Sequence, residues 1–303
     1  TITGDLDFTG TGAGQETIRS GTGTWTVSGN VNFTDGTYTA TAGNTLVMGG
    51  TGTLTSNANA LQNLTASGTI TFADATHTVA GNLSLAGGGT VTAGASTITM
   101  SSTSASIVGG GETLNNLTID PSSAGTISLA TSDLTVGGTL SVAAGDTLSI
   151  ASGRTLTHSG ATLTLPNTAT VNGAGTLVYR STSAFPSTGN ASSSLTFDAT
   201  SGNQIVSARS FGGAVKIDNT GATAGRTVTL GTGASQTITF QSGLDIAESG
   251  SGDVELTGSS NNPAISITGN LTCSSVGGSN NITTGSGTWT VSGNVDLTNF
   301  GTV

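Results

Sequence analysis

A single cysteine, Cys273, leaves no partner for an internal disulfide. It falls in an apolar slot of the repeat described below and is expected to be a buried, inert thiol, because free Cys commonly behaves as a small core hydrophobe. Positive charge is scarce: 6 Lys and Arg stand against 16 Asp and Glu, for a net charge of -10. With no basic patch to neutralise phosphates, nucleic acid is excluded as a partner. An anionic membrane surface is disfavoured for the same reason. No apolar run approaches the ~18 residues that cross a bilayer as a helix, so no membrane insertion is expected. No Met precedes Thr1 and no charged-then-apolar leader is visible, so a processed chain or a segment of a longer one is expected. No helical period of useful length occurs either.

What remains is glycine, hydroxyls and alternation. There are 48 glycines, while only 7% of residues are charged and 4% aromatic. Val, Ile, Leu and Thr recur at regular positions, so the composition is that of a chain with a core rather than of a disordered one. Runs such as "TWTVSGNV", "TITFADATHTV", "TLSVAAGDTLSI" and "TLTHSGATLTL" alternate apolar and polar residues, the signature of half-buried strands. Gly, Asn, Asp and Ser separate them as turn residues.

One motif recurs: apolar, any, Gly, small polar, apolar, any, apolar. Its glycines are Gly4, Gly29, Gly81, Gly138, Gly213, Gly269 and Gly293, spaced by 25, 52, 57, 75, 56 and 24 residues. "LQNLT" from Leu61 and "LNNLTI" from Leu114 are shortened relatives. The spacings cluster near multiples of about 25, too short for a propeller blade but suited to one coil of three short strands; a run of tandem β-sandwiches, for which the unit is short, is the structural alternative. The expected fold is all-β: a single right-handed parallel β-helix (β-solenoid) over residues 1–303, with about 12 coils of about 25 residues. Coils spaced by ~4.8 Å would make a rod roughly 55–60 Å long. The motif Gly is expected at a corner, where positive φ is needed. The residue after it is expected to bond its own backbone or to ladder between coils.

The two ends echo each other. "GTGTWTVSGNVNFT" from Gly21 returns as "GSGTWTVSGNVDLT" from Gly285, and "ITGDLDF" from Ile2 as "ITGNLTC" from Ile267. Residues 266–303 thus repeat residues 1–38. Trp25 and Trp289 are expected to fill matching slots rather than to stack on sugars. Two arrangements follow: a subunit that docks head-to-tail on copies of itself, or a window of adjoining repeats in a longer chain. Strand edges invite pairing with another chain, and a head-to-tail contact that does not close makes an open fibre.

The "GNLTV…GGTLSV…GDTLSI" style with "LNNLTI" inserts resembles the β-solenoid repeats of large secreted bacterial surface proteins, among them filamentous-haemagglutinin-like adhesins and autotransporter passengers. Nearly the whole chain shares the pattern, without a recognisable secretion domain, translocator barrel or Gly-Gly-x-Gly-x-Asp calcium repeat. The resemblance implies an extracellular, cell-surface location and a structural or adhesive role.

Chemistry-bearing residues are sparse, and no catalytic, cofactor-binding or metal-binding residue is assigned. Arg19, Arg154, Arg180, Arg209, Lys216 and Arg226 are scattered near turns and are expected to be solvated. His77 and His158 lie in alternating runs without the three or four convergent ligands that zinc needs. The one acidic cluster, Asp245, Glu248, Asp253 and Glu255, has the oxygen chemistry of a calcium site but is expected to be an exposed corner. Asn-x-Ser/Thr occurs at Asn32, Asn63, Asn82, Asn116, Asn190, Asn270 and Asn281; the strand pattern accounts for these better than glycosylation. "TLVYRSTSAFPSTGNASSS" from Thr176 breaks the pattern, and residues 179–190 are expected to form a loop excursion, the first place to seek a ligand. The leading expectation is a structural protein and not an enzyme. The alternatives are an adhesin whose face binds glycans or host or cell-surface proteins and, third, a polysaccharide-cleaving β-helix enzyme, which would need two facing carboxylates.

Overall fold

The computed structural model describes residues 1–303 except 10–16, 199, 201, 222–224, 251, 275–279 and 300–303. Among the described residues every named element is a strand and there is no helix. The fold is a parallel β-solenoid of about 12 turns, about 22 residues apart. The chain divides into two compact units, Thr1–Leu156 and Thr157–Val303.

In the first unit each turn lays down three short strands, and each strand pairs in parallel with its equivalent one turn later. On the first face Thr24–Val27, Thr45–Met48, Asn63–Ala66, Leu83–Ser84, Ser104–Val108, Thr126–Thr131 and Thr147–Ile150 follow one another. The register puts Trp25, Leu46, Leu64, Leu83, Ile107, Leu129 and Ile150 in one column. On the third face Val79, Met100, Ile119 and Val142 form another, all fully buried. Alternation explains both: inward side chains stack on like neighbours, and outward Thr and Ser keep their hydroxyls in water.

The second unit repeats this scheme. Its first face runs through Asn190–Ala191, Ser210–Phe211, Thr237–Phe240, Ala264–Ile267 and Trp289–Val291. Its second face stacks Tyr179, Phe197, Ile217, Ile246 and Cys273. Cys273 is buried, as its apolar slot requires.

The motif spacings suggest about 25 residues per turn, more than the observed 22, and the glycines explain why. They do not keep to one corner. Gly29 precedes the second-face strand Val31–Asn32, Gly81 the first-face strand Leu83–Ser84, and Gly138 the third-face strand Thr139–Val142. Distances between them are therefore not whole turns. The turns also differ in length: Asn82 N–H donates to Asn63 Oδ1 across 19 residues, and Ser249 N–H to Asp218 Oδ1 across 31.

The expected reason for these glycines is also corrected. None of the seven has positive φ, although thirteen other glycines among the described residues do. At six of them the constraint is close approach. A Cβ at Gly29 would overlap Asp5 Oδ1, one at Gly81 the Gln62 carbonyl and Asn63 Oδ1, one at Gly138 Asn116 Oδ1, and one at Gly213 the Ser193 carbonyl. At five of these six the neighbouring turn thus places an oxygen where a side chain would begin, and at Gly269 it places the backbone of Ser242 and Gly243. Where it is an Asp or Asn side-chain oxygen, it belongs to a ladder. Asn30 N–H donates to Asp5 Oδ1 at 2.7 Å, Thr53 N–H to Asn30 Oδ1 at 2.8 Å, Ser106 N–H to Asn82 Oδ1 at 2.8 Å and Thr139 N–H to Asn116 Oδ1 at 2.7 Å. Gly81→Ala is expected to cost about 2 kcal/mol, since the blocking atoms include backbone that cannot turn away. Gly4→Ala, with nothing within 4 Å of its Cβ position, is expected to be nearly neutral. Equal urea midpoints for the two variants would refute this account of the glycines.

Candidate functional site

The segment 179–190 is not an ejected loop. It closes a turn of the second unit, with Ala184 bridged in parallel to Ile205. Tyr179 and Phe185 are fully buried. Phe185 lies 5.1 Å from Tyr179, 5.4 Å from Phe197 and 5.8 Å from Phe211, ring centre to ring centre. Aromatic bulk fills the place that shorter strands leave open, and the tilted and edge-on geometries are those that ring quadrupoles favour.

Arg209 belongs to the same cluster and is buried, against the expectation that it is solvated. Its Nη1 donates to the carbonyls of Pro186 at 2.7 Å and Thr188 at 3.2 Å, and its Nη2 to Gly189 at 3.0 Å. The guanidinium carbon sits 5.1 Å from the Phe185 ring centre and 5.2 Å from that of Phe211. Burial pulls its pKa down to about 10, so it stays charged at neutral pH. Three carbonyl dipoles and two ring faces offset the desolvation of the cation. Arg209 is a structural clamp on residues 186–189. Sequence reasoning missed it because a lone Arg beside a turn looks the same whether it points in or out.

A second cluster, not foreseen from the sequence, lines the end of the second face. Asp198 and Asp218 are register partners on adjacent turns, and each is 1% exposed. Asp198 accepts from Arg180 Nε at 2.8 Å and from Thr220 N–H at 2.9 Å. Asp218 pairs with Lys216 Nζ at 2.6 Å and accepts from Ser249 N–H at 2.9 Å and Ser249 Oγ at 2.7 Å. Burial pushes the Asp218 carboxyl up, but the hydrogen bonds from Lys216 and Ser249 outweigh it and hold it below the usual carboxylate range. Each carboxylate has its own donors, so the pair pins corners to one another and offers no shared proton for acid–base work.

The remaining candidates do not converge. Asp245 is on the second face and accepts from Thr272 Oγ1 at 2.8 Å and Ser274 Oγ at 2.6 Å. Glu255 is on the third face, in register with Thr227 and Asn281. Among the described residues no group of three His, Cys, Asp or Glu could hold a metal ion. His77 occupies an inward position in line with Ile98, Leu117 and Leu140, where Ser56 Oγ lies 2.9 Å from Nδ1 and the Ala73 carbonyl 3.0 Å from Nε2. His158 is also fully buried, 5.7 Å from the Tyr179 ring, and no hydrogen-bond partner meets either of its ring nitrogens.

The best-defined surface lies at the echoed ends. Ile2 bridges Val27 as Ile267 pairs with Val291, and Leu6 pairs with Val31 as Leu271 bridges Val295. Ser28 N–H donates to the Ile2 carbonyl at 3.0 Å, and Ser292 N–H to that of Ile267 at 2.9 Å. Leu6 N–H donates to the Asn30 carbonyl at 2.8 Å, and Leu271 N–H to that of Asn294 at 2.9 Å. Asn294 N–H donates to Asn270 Oδ1 at 2.9 Å, as Asn30 does to Asp5. Both ends of the chain therefore build one coil-on-coil arrangement. Parts of the echo, residues 10–16, 275–279 and 300–303, lie outside the described residues.

No protein family, no curated protein and no solved structure matches the chain. The two tryptophans take matching column positions, Trp25 in register with Leu46 and Trp289 with Ile265. Val31 is fully buried, whereas its equivalent Val295 is 52% exposed. Val295 is thus exposed although its coil repeats the pairing of the coil that holds Val31.

Proposed function

We propose that this is an extracellular structural protein, a β-solenoid that forms or is embedded in a cell-surface fibre by end-to-end stacking of coils. The observation that carries the reading is the echo of residues 1–38 in 266–303, down to equivalent hydrogen bonds. A chain whose last described coil copies an interior coil has the chemistry to receive a further one. That further coil belongs to a copy of the same chain, or to an adjoining repeat of a longer one. The role is mechanical and not enzymatic. In support, the basic residues with defined partners hold corners together: Arg180 and Lys216 bind buried carboxylates, and Arg209 binds backbone. Six Lys and Arg in 303 residues also leave trypsin-like proteases few cleavage points.

Electron microscopy of the purified chain tests the reading. Regular unbranched filaments with one chain per axial repeat are expected. A strictly monomeric species at high protein concentration would refute assembly by this chain alone.

A further inference from the structure

The register of that assembly can be read from the molecule, and this inference rests on the stacking reading above. We propose that the coil containing Val291–Val295 receives residues 2–6 of a second copy, with Ile2 over Val291, Asp5 over Asn294 and Leu6 over Val295.

Three observations on the two ends fit one another. The first is the amide ladder. In every motif pair described, the later turn donates its N–H to the side-chain oxygen of the earlier one, as Asn30 does to Asp5 and Asn294 does to Asn270. Extending that direction by one turn brings the Asp5 N–H of a second copy to Asn294 Oδ1. The second is the apolar column. Val295, 52% exposed, stands where its equivalent Val31 is covered by Leu54. The second copy's Leu6, aliphatic and in the matching column, supplies that cover. The third is the glycine gap. At Gly29 and Gly293 the space of a Cβ is occupied by the turn beneath: by Asp5 Oδ1 and Gly4 for the one, by Asn270 Oδ1 and Gly269 for the other. At Gly4 the same space is empty, with nothing within 4 Å. Gly293 and Asn294 of the receiving copy fill it in the proposed register.

The occupant is a second copy because the chain already contains the required joint twice. Ile2–Asn30 and Ile267–Asn294 are two instances of a motif coil seated on a motif coil, with hydrogen bonds within 0.2 Å of each other (2.7 and 2.9 Å for the ladder bond). Docking by another class of protein would need to reproduce both the Gly gap and the ladder donor.

Two variants test the register. Gly4→Ala leaves the isolated chain undisturbed but places a methyl group against Gly293 and Asn294 of the receiving copy. It is expected to raise the concentration needed for filament formation at least tenfold, with an unchanged thermal midpoint. The second variant carries Leu6→Cys and Val295→Cys in a Cys273→Ser background. In-register neighbours on parallel strands lie within the Cα separation a disulfide spans, so mild oxidation is expected to give a ladder of covalent head-to-tail oligomers. A control with Leu54→Cys and Val295→Cys reports the rival register, in which residues 266–303 of one copy displace residues 1–38 of the next. Filaments that form normally with Gly4→Ala, or that cross-link through Leu54→Cys rather than Leu6→Cys, would overturn the register while leaving the fibre reading in place. Absence of any oligomer of the unmodified chain would overturn both.

Discussion

Phe185→Ala is expected to cost about 3–5 kcal/mol, the usual range for deleting a fully buried phenylalanine ring. For a unit of this size that lowers the thermal midpoint by about 10 °C. Phe185 is the ring that the cluster shares: Tyr179, Phe197 and Phe211 all lie within 5.8 Å, and the Arg209 guanidinium rests on it at 5.1 Å. Truncation removes packing from three rings and one of the two ring faces that compensate a buried cation. Phe185→Leu keeps most of the volume but not the ring face, and is expected to fall between the two. Calorimetry or urea unfolding measures the difference. A loss below 1 kcal/mol for the alanine variant would mean that residues 179–190 are loose, as the sequence pattern alone suggests.

The second large effect is a loss of stability in mild acid. Burial pulls the His158 imidazole down to about 4, from an ordinary value near 6.5 in the unfolded chain. Above pH ~6.5 the ring is neutral in both states and costs nothing. Between there and pH ~4 the unfolded chain takes up a proton that the folded chain refuses, so stability falls with pH. The full swing is about 3 kcal/mol. His77 shifts in the same direction by burial, against an opposing hydrogen bond to the Ala73 carbonyl. Asp218, held low, loses its contribution only at more acid pH, below the ordinary carboxylate range. His158→Phe is expected to flatten most of the dependence between pH 6.5 and 4.5. Urea midpoints against pH for the two chains decide the matter, and parallel curves would remove His158 as the cause.

The strand alternation makes the solenoid legible in the sequence, because inward and outward positions on a parallel ladder have opposite requirements at every second residue. The ladder bonds were half legible. Asn after Gly pointed to coil-to-coil bonding, and Asn30, Asn82 and Asn270 make such bonds. The turn length was misread because Gly81 and Gly138 sit at different corners from Gly29, and nothing local in a seven-residue motif says which corner it occupies. Residues 179–190 were misread for a related reason. Tyr, Phe and Pro break an aliphatic pattern, yet Tyr179 and Phe185 point inward and fill the core of their turn. Asp198 and Asp218 gave no sign at all, since a carboxylate at a strand end is usually solvated. What buries these two is contact with partners 18 and 31 residues away.

The fit between each missing Cβ and its neighbour's oxygen sets rules for how such a chain can change length. Gly29, Gly81, Gly138, Gly213 and Gly293 are each matched to an Asn, Asp or carbonyl oxygen in the adjacent layer, so a deletion that removes part of a turn shifts later oxygens against the wrong residues. A deletion or duplication of whole turns leaves each pair intact. Lineages of this protein are therefore expected to differ by complete layers, and point changes at a motif glycine to be tolerated only together with a change one layer away.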